Sequence, residues 1–154
     1  MKKIIQRVLL AGILLATVNT VAAAAETSTV KTEENRQLVL HFYDSFFNHH
    51  DVDKAAGVIA ENYRQHNPDV PDGKAPFVNY FKDFFRANPN SRAQVIRSSV
   101  DNDLVWLQVH STNGAHDRGQ AVLDIFRVKD GKIVEHWDVI QDVPAKSANN
   151  NTMF

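Results

Sequence analysis

From residue 33 the chain carries apolar stripes at helical spacing, and from residue 92 it changes to an alternation of period two. Leu38, Val39, Phe42, Tyr43, Phe46 and Phe47 recur three and four residues apart, which places them on one face of an amphipathic helix. Thr32 stands where it can cap that helix, with Glu33 and Glu34 in the first turn, where carboxylates favour the helix dipole. Asn48-His49-His50 interrupts the stripe. Asp51 can then cap a second, short helix through Ala55, Ala56, Val58 and Ile59. Tyr63 to His66 reads as extended, and Asn67 to Gly73, with Pro68, Pro71 and Gly73, as a loop. A third helix starts at Lys74 or Ala75, because Pro76 is tolerated in a first turn. It presents Phe77, Tyr80, Phe81, Phe84 and Phe85 on one side and stops at Asn88-Pro89-Asn90.

Four strands follow: Arg92 to Val100, Leu104 to Thr112, Gln120 to Val128 and Lys132 to Ile140. Helices first and a run of strands afterwards define an α+β domain, in which a curved sheet wraps the aromatic faces of the first and third helices. The domain is expected over residues 33–143, after a polar lead-in at 26–32. Beyond Val143 the chain is rich in Pro, Ala, Lys and Asn, which reads as a flexible tail over 144–154.

The last two strands meet at Asp130-Gly131, a strong hairpin signal because Gly accepts a positive φ without steric cost. Asp124, His136 and Asp138 occupy these strands at positions where apolar residues would ordinarily be buried, and a polar group placed there needs a reason. A two-residue loop would pair Asp124 with Trp137 and put His136 on the opposite face. A three-residue loop, Lys129-Asp130-Gly131, would set Asp124 against His136 and Val122 against Asp138. The three-residue loop is favoured, since it gathers Val122, Asp124, Phe126, Val134, His136, Asp138 and Ile140 on one face, a mixture of apolar wall and acid/base groups that suits a pocket. Leu123, Ile125, Ile133, Trp137 and Val139, with Arg127 and Glu135, then form the other face.

Composition narrows the setting. The 154 residues include no cysteine, so packing alone must hold the domain. Residues 1–25 have the form of a secretory signal peptide: Lys2, Lys3 and Arg7, an apolar core from Val8 to Val18, and a small-residue cleavage region ending near Ala25. That core is too short for an ordinary transmembrane helix, so the mature protein is expected to be periplasmic or secreted and free of the membrane. Removing the leader makes the formal net charge of −1 three units more negative. No basic stripe supports nucleic-acid binding.

The three helices followed by a curved sheet, with Tyr63-Arg-Gln-His66-Asn67-Pro68 before the third helix and Asp124-Ile-Phe-Arg127, Asp130-Gly-Lys-Ile133 and Glu135-His-Trp-Asp138 near the end, resemble the SnoaL-like polyketide cyclases of the NTF2-like superfamily. The resemblance covers residues 33 to 143. It implies a cone-shaped α+β barrel, N-terminal helices packed in a curved mixed or antiparallel sheet. Proteins of this shape include ketosteroid isomerases, limonene-epoxide hydrolases and non-catalytic binding domains, so the fold does not fix the activity. In the family's cyclases an acidic residue on the last strand acts as acid/base in an intramolecular aldol condensation, and Asp138 matches it. Asp124 stands where true cyclases often carry His. His66 and His136 match polar pocket positions of closer relatives.

Aldol or isomerase chemistry needs a base for a proton beside a carbonyl and a donor for the developing oxyanion. The candidate catalytic residues are Asp138, Asp124 and His136. The candidate substrate-binding residues are His66, Tyr63, Phe126, Val122, Ile140, Trp106 and His110. The expected ligand is a small carbonyl compound in an apolar pocket, handled without a cofactor, and the alternative is a small-ligand-binding domain that catalyses nothing. Blander readings stay open beside these: Asp124 and His136 as a satisfied cross-strand pair, Asp138 as a solvated strand end, His66 as a loop-bonding residue and His110 as plain surface. Seven histidines are present, but no dense ligand spacing, so no metal site is expected. The apolar outer face of the last strands predicts a homodimer through the sheet, with a terminal segment covering that face as the alternative.

Overall fold

The computed structural model describes residues 26–154. The leader pattern of residues 1–25 lies outside the described residues. Residues 26–43 form helix α1, which widens into a π-helical turn over Asp44–Asn48. Residues 26–32, expected as a lead-in, are already helical, and the cap expected at Thr32 is absent. Its Oγ1 instead donates to the Thr29 carbonyl at 2.8 Å. The reason is local: residues 26–31 contain no Pro or Gly to break a helix that is anchored further on by packing. Helix α2, Val52–Ala55, runs through a 3₁₀ turn at Ala56–Val58 into β1, Ile59–Gln65, so Ile59 opens the strand and is not part of the short helix. Helix α3 covers Lys74–Ala87, preceded by Gly73 at φ 90°. Strands β2 to β5 span Ser91–Asp101, Leu104–Asn113, Gln120–Lys129 and Lys132–Asp142.

The five strands make one curved sheet in the order β1-β5-β4-β3-β2. Every pairing is antiparallel except β1 with β5, which run parallel. The core lies between the sheet and the helices. The stripe on α1 buries Val39, Phe42, Tyr43 and Phe46, which meet Val105, Leu107 and Val109 of β3 and Phe126 and Val128 of β4. Phe46 and Phe47 of the π-turn reach α3, with ring centroids 5.1 Å from Phe77 and 5.3 Å from Phe81 respectively.

The β4–β5 hairpin corrects the favoured register. Asp130 (φ 50°) and Gly131 (φ 70°) form a two-residue turn and Lys129 pairs with Lys132. Two consecutive positive φ values match the twist of the flanking strands. One residue further the register shifts: Val128 faces Ile133, but Arg127 faces Glu135, so Val134 is a bulge. Asp124 therefore opposes Asp138, and Phe126 opposes His136. The two-residue loop and the bulge together move the pairing by two from the expected one. An even shift leaves faces unchanged, so Asp124, His136 and Asp138 still share a side. Ile133, expected outside, is fully buried, because the bulge gives it the inward place expected for Val134.

The C-terminal stretch, which composition reads as loose, returns to the sheet. Val143 N–H bonds to the Gly119 carbonyl at 3.0 Å, Gln108 Nε2 donates to the Met153 carbonyl at 3.0 Å, and the Phe154 ring lies 4.4 Å from that of His110. Gly119 makes this junction possible. Its φ is 74°, and a Cβ there would stand 2.0 Å from the Ser111 carbonyl oxygen, inside any tolerable contact. Gly119→Ala is expected to cost about 1–3 kcal/mol, read as a fall of several degrees in Tm by thermal unfolding. An unchanged Tm would show that the junction relaxes freely. Among the described residues no helix is long and apolar enough to cross a membrane.

Candidate functional site

A cavity of about 210 Å³ opens between the sheet, α1, α3 and the loop after β1. It is smaller than the roughly 300–1,000 Å³ of sites for drug-sized ligands, which limits it to small molecules. Phe47, Phe77, Phe81, Phe84 and Phe126 supply apolar walls, and Asp124, His136 and Asp138 reach it from the facing strands.

Asp124 and His136 are 5% and 7% exposed. His136 Nε2 lies 2.9 Å from Asp124 Oδ1, a diagonal contact across the strands. Tyr43 Oη donates to Asp124 Oδ2 at 2.7 Å. The other imidazole nitrogen, Nδ1, lies 2.8 Å from Gln65 Oε1. That oxygen also accepts the backbone N–H groups of His66 (2.9 Å) and Asn67 (3.0 Å), which fixes the amide with its oxygen toward the histidine. Nδ1 is therefore the nitrogen that donates to Gln65, and Nε2 is the one turned to the Asp124 carboxylate. Burial first, then the charge of Asp124, pushes the Tyr43 phenol well above its ordinary range, so it remains a donor.

Asp138 is held differently. Its Oδ2 accepts from Asn67 Nδ2 at 2.7 Å, while Asn67 Oδ1 accepts the Asp69 N–H at 2.8 Å and so keeps the amide N–H₂ turned to the carboxylate. No charged partner contacts Asp138 among the described residues. Tyr63, 2% exposed, also lines the cavity. Its Oη accepts a long bond from Gln65 Nε2 at 3.4 Å, and burial and then the charges of Asp124 and Asp138 raise its phenol well above the usual range. Asp124, His136 and Asp138 offer ligand atoms within 4.8 Å of one another, the kind of set that holds a metal ion.

Val122, Phe126, Ile140 and Tyr63 line the cavity, as the sequence expects. Three other expected lining residues do not. His66 points to the outer face, where its Nε2 lies 2.9 Å from Glu135 Oε1 and its ring stacks 4.7 Å from Trp137. The His66 contact first, with Arg127 behind it, holds the Glu135 carboxyl below its usual range. Trp106 and His110 fall on the outer side of β3, whose inward residues are Val105, Leu107 and Val109. His110 Nε2 sits 2.9 Å from the Arg118 carbonyl. The physical reason is parity. With Tyr63 inside, alternation sends residue 66 outside and brings Gln65 and Asn67 inside. Gln65, Asn67 and Tyr43 are the site residues that the sequence reading missed. The first two were reachable by that parity. Tyr43 was reachable as the lone phenol in a buried Phe stripe, because a buried Tyr hydroxyl needs a partner.

A helix-lined cavity in a curved mixed sheet, with acid/base groups on its last strands, defines an NTF2-like domain. A family model for SnoaL-like polyketide cyclases matches residues 37–148, and the chain belongs to that family. Among solved structures it is similar to a candidate ketosteroid isomerase from Kribbella flavida at 20% identity and TM-score 0.64, covering 77% of this chain and 85% of that one. A candidate SnoaL-like polyketide cyclase from Jannaschia is 17% identical with TM-score 0.61, covering 71% and 86%. An epoxide hydrolase from M. tuberculosis is 17% identical with TM-score 0.59, covering 72% and 85%. At these identities the likeness concerns the fold. No curated protein matches the chain.

Proposed function

We propose that this SnoaL-like protein is exported and is a cofactor-independent acid/base catalyst acting on a small carbonyl compound, with Asp138 as the base. The observation that carries this reading is the unequal treatment of the two opposed carboxylates. Asp124 is committed to His136 and Tyr43, whereas Asp138 faces the cavity with one neutral amide on one oxygen. Asp138 takes a proton from the carbon beside the carbonyl; the C–H electron pair becomes the C=C bond of the enolate, and the carbonyl π pair moves onto oxygen. The Tyr63 hydroxyl, whose own proton has no acceptor among the described residues, donates to that oxygen. Return of the proton elsewhere gives isomerisation, and attack of the enolate carbon on a second carbonyl gives an aldol bond.

The test is solvent deuterium exchange into small ketones, followed by proton NMR. Exchange next to the carbonyl is expected with the native protein, above the buffer rate. Binding of a ketone without exchange favours the second reading, a ligand-binding domain that catalyses nothing. One observation supports that reading: no buried side-chain N or O atom among the described residues lacks a hydrogen-bond partner.

The outer sheet face supports self-association. Leu123 and Val139 are paired across β4 and β5, and Val139 is 69% exposed. The C-terminal segment contacts Gln108 and His110 of β3. A homodimer through this face is expected by sedimentation at concentrations well above micromolar, and Val139→Asp should shift it to monomer. A monomeric native protein would remove the dimer.

A further inference from the structure

We propose that the cavity takes a carbonyl compound carrying an ammonium group and discriminates against carboxylates. This rests on the reading of the cavity as a small-carbonyl site and adds the charge of its occupant. No Lys or Arg lines the cavity, but Asp69, Asp124 and Asp138 do. Asp124 already has His136 and Tyr43 as partners. Asp138 is bonded only to a neutral amide, and the Asp69 carboxylate has no partner among the described residues, its backbone N–H alone being used. The lining therefore carries uncompensated negative charge.

The remaining wall suits a cation. Tyr80 and Phe84 on α3 are 38% and 39% exposed, which puts them at the cavity mouth with Asp69 on the opposing loop. Aromatic faces attract an ammonium through their quadrupoles, and more strongly where water is partly excluded. A carboxylate entering the same space would be desolvated beside Asp138 with no cation to receive it. A neutral ketone would be accepted, but would leave the Asp69 carboxylate at the mouth unpaired.

Three para-substituted acetophenones of similar size test this by calorimetric titration at pH 7 and low salt: 4-(aminomethyl)acetophenone, 4-methylacetophenone and 4-acetylbenzoate. The ammonium compound is expected to bind about tenfold tighter than the methyl compound, and the carboxylate about tenfold weaker than it. Asp69→Asn should narrow the ammonium-to-methyl ratio several-fold. Equal affinities, or a preference for the carboxylate, with the methyl compound still bound, would overturn the charge preference and leave the carbonyl site standing. Failure of all three to bind at millimolar concentration would reject the carbonyl site and the charge preference together.

Discussion

Asp138→Asn is expected to lower turnover of any ketone the protein processes by about 10²–10⁴-fold, the usual contribution of a positioned general base. The substitution is nearly isosteric. An amide at this position can still offer its oxygen to Asn67 Nδ2, now 2.7 Å from the carboxylate, so the loop after β1 keeps its anchor. What the amide cannot do is accept a proton from carbon. Tm and the affinity for a neutral ketone should therefore stay close to native while the rate falls, and deuterium exchange monitored by NMR separates the two. Native exchange rates in the variant would remove Asp138 from the base role. Asp124, committed to its two partners, would then be the carboxylate to examine.

Asp124→Ala is the second large effect, and it is an effect on stability. The carboxylate is the acceptor for Tyr43 and the counter-group for His136, all three buried. Removing one member of such a pair leaves the other desolvated without compensation, at a cost of about 3–5 kcal/mol. For a domain of this size that corresponds to roughly 10–20 °C in Tm. Tyr43→Phe, which removes only the donor at 2.7 Å, is expected to cost about 0.5–1.5 kcal/mol. Chemical denaturation of both variants checks the contrast. A loss below about 1 kcal/mol for Asp124→Ala would mean that the pair is solvated or readily replaced by water.

The two substitutions probe different walls of one cavity, and the sequence distinguished them poorly. It placed Asp124, His136 and Asp138 on one face, because period two is a local property of the chain and survives a register error of two residues. It also anticipated the aromatic faces of α1 and α3 and the start of α3 at Lys74. It could not supply the bulge at Val134, which follows from joining a two-residue turn to strands whose apolar residues must still face the core. His66, Trp106 and His110 were drawn toward the cavity by their chemistry, against the alternation of their own strands.

The sequence by itself determined the α+β order of elements, the Asp130-Gly131 reversal and the shared face of the acid/base groups. Each depends only on spacing along the chain and on which backbone angles a residue tolerates. The tertiary structure alone decided which carboxylate is tied to two buried partners and which faces the cavity with one amide on it. Tyr43 reaches Asp124 across 81 residues and Asn67 reaches Asp138 across 71, and no local pattern encodes contacts made only when α1 and the loop after β1 pack against the last strands.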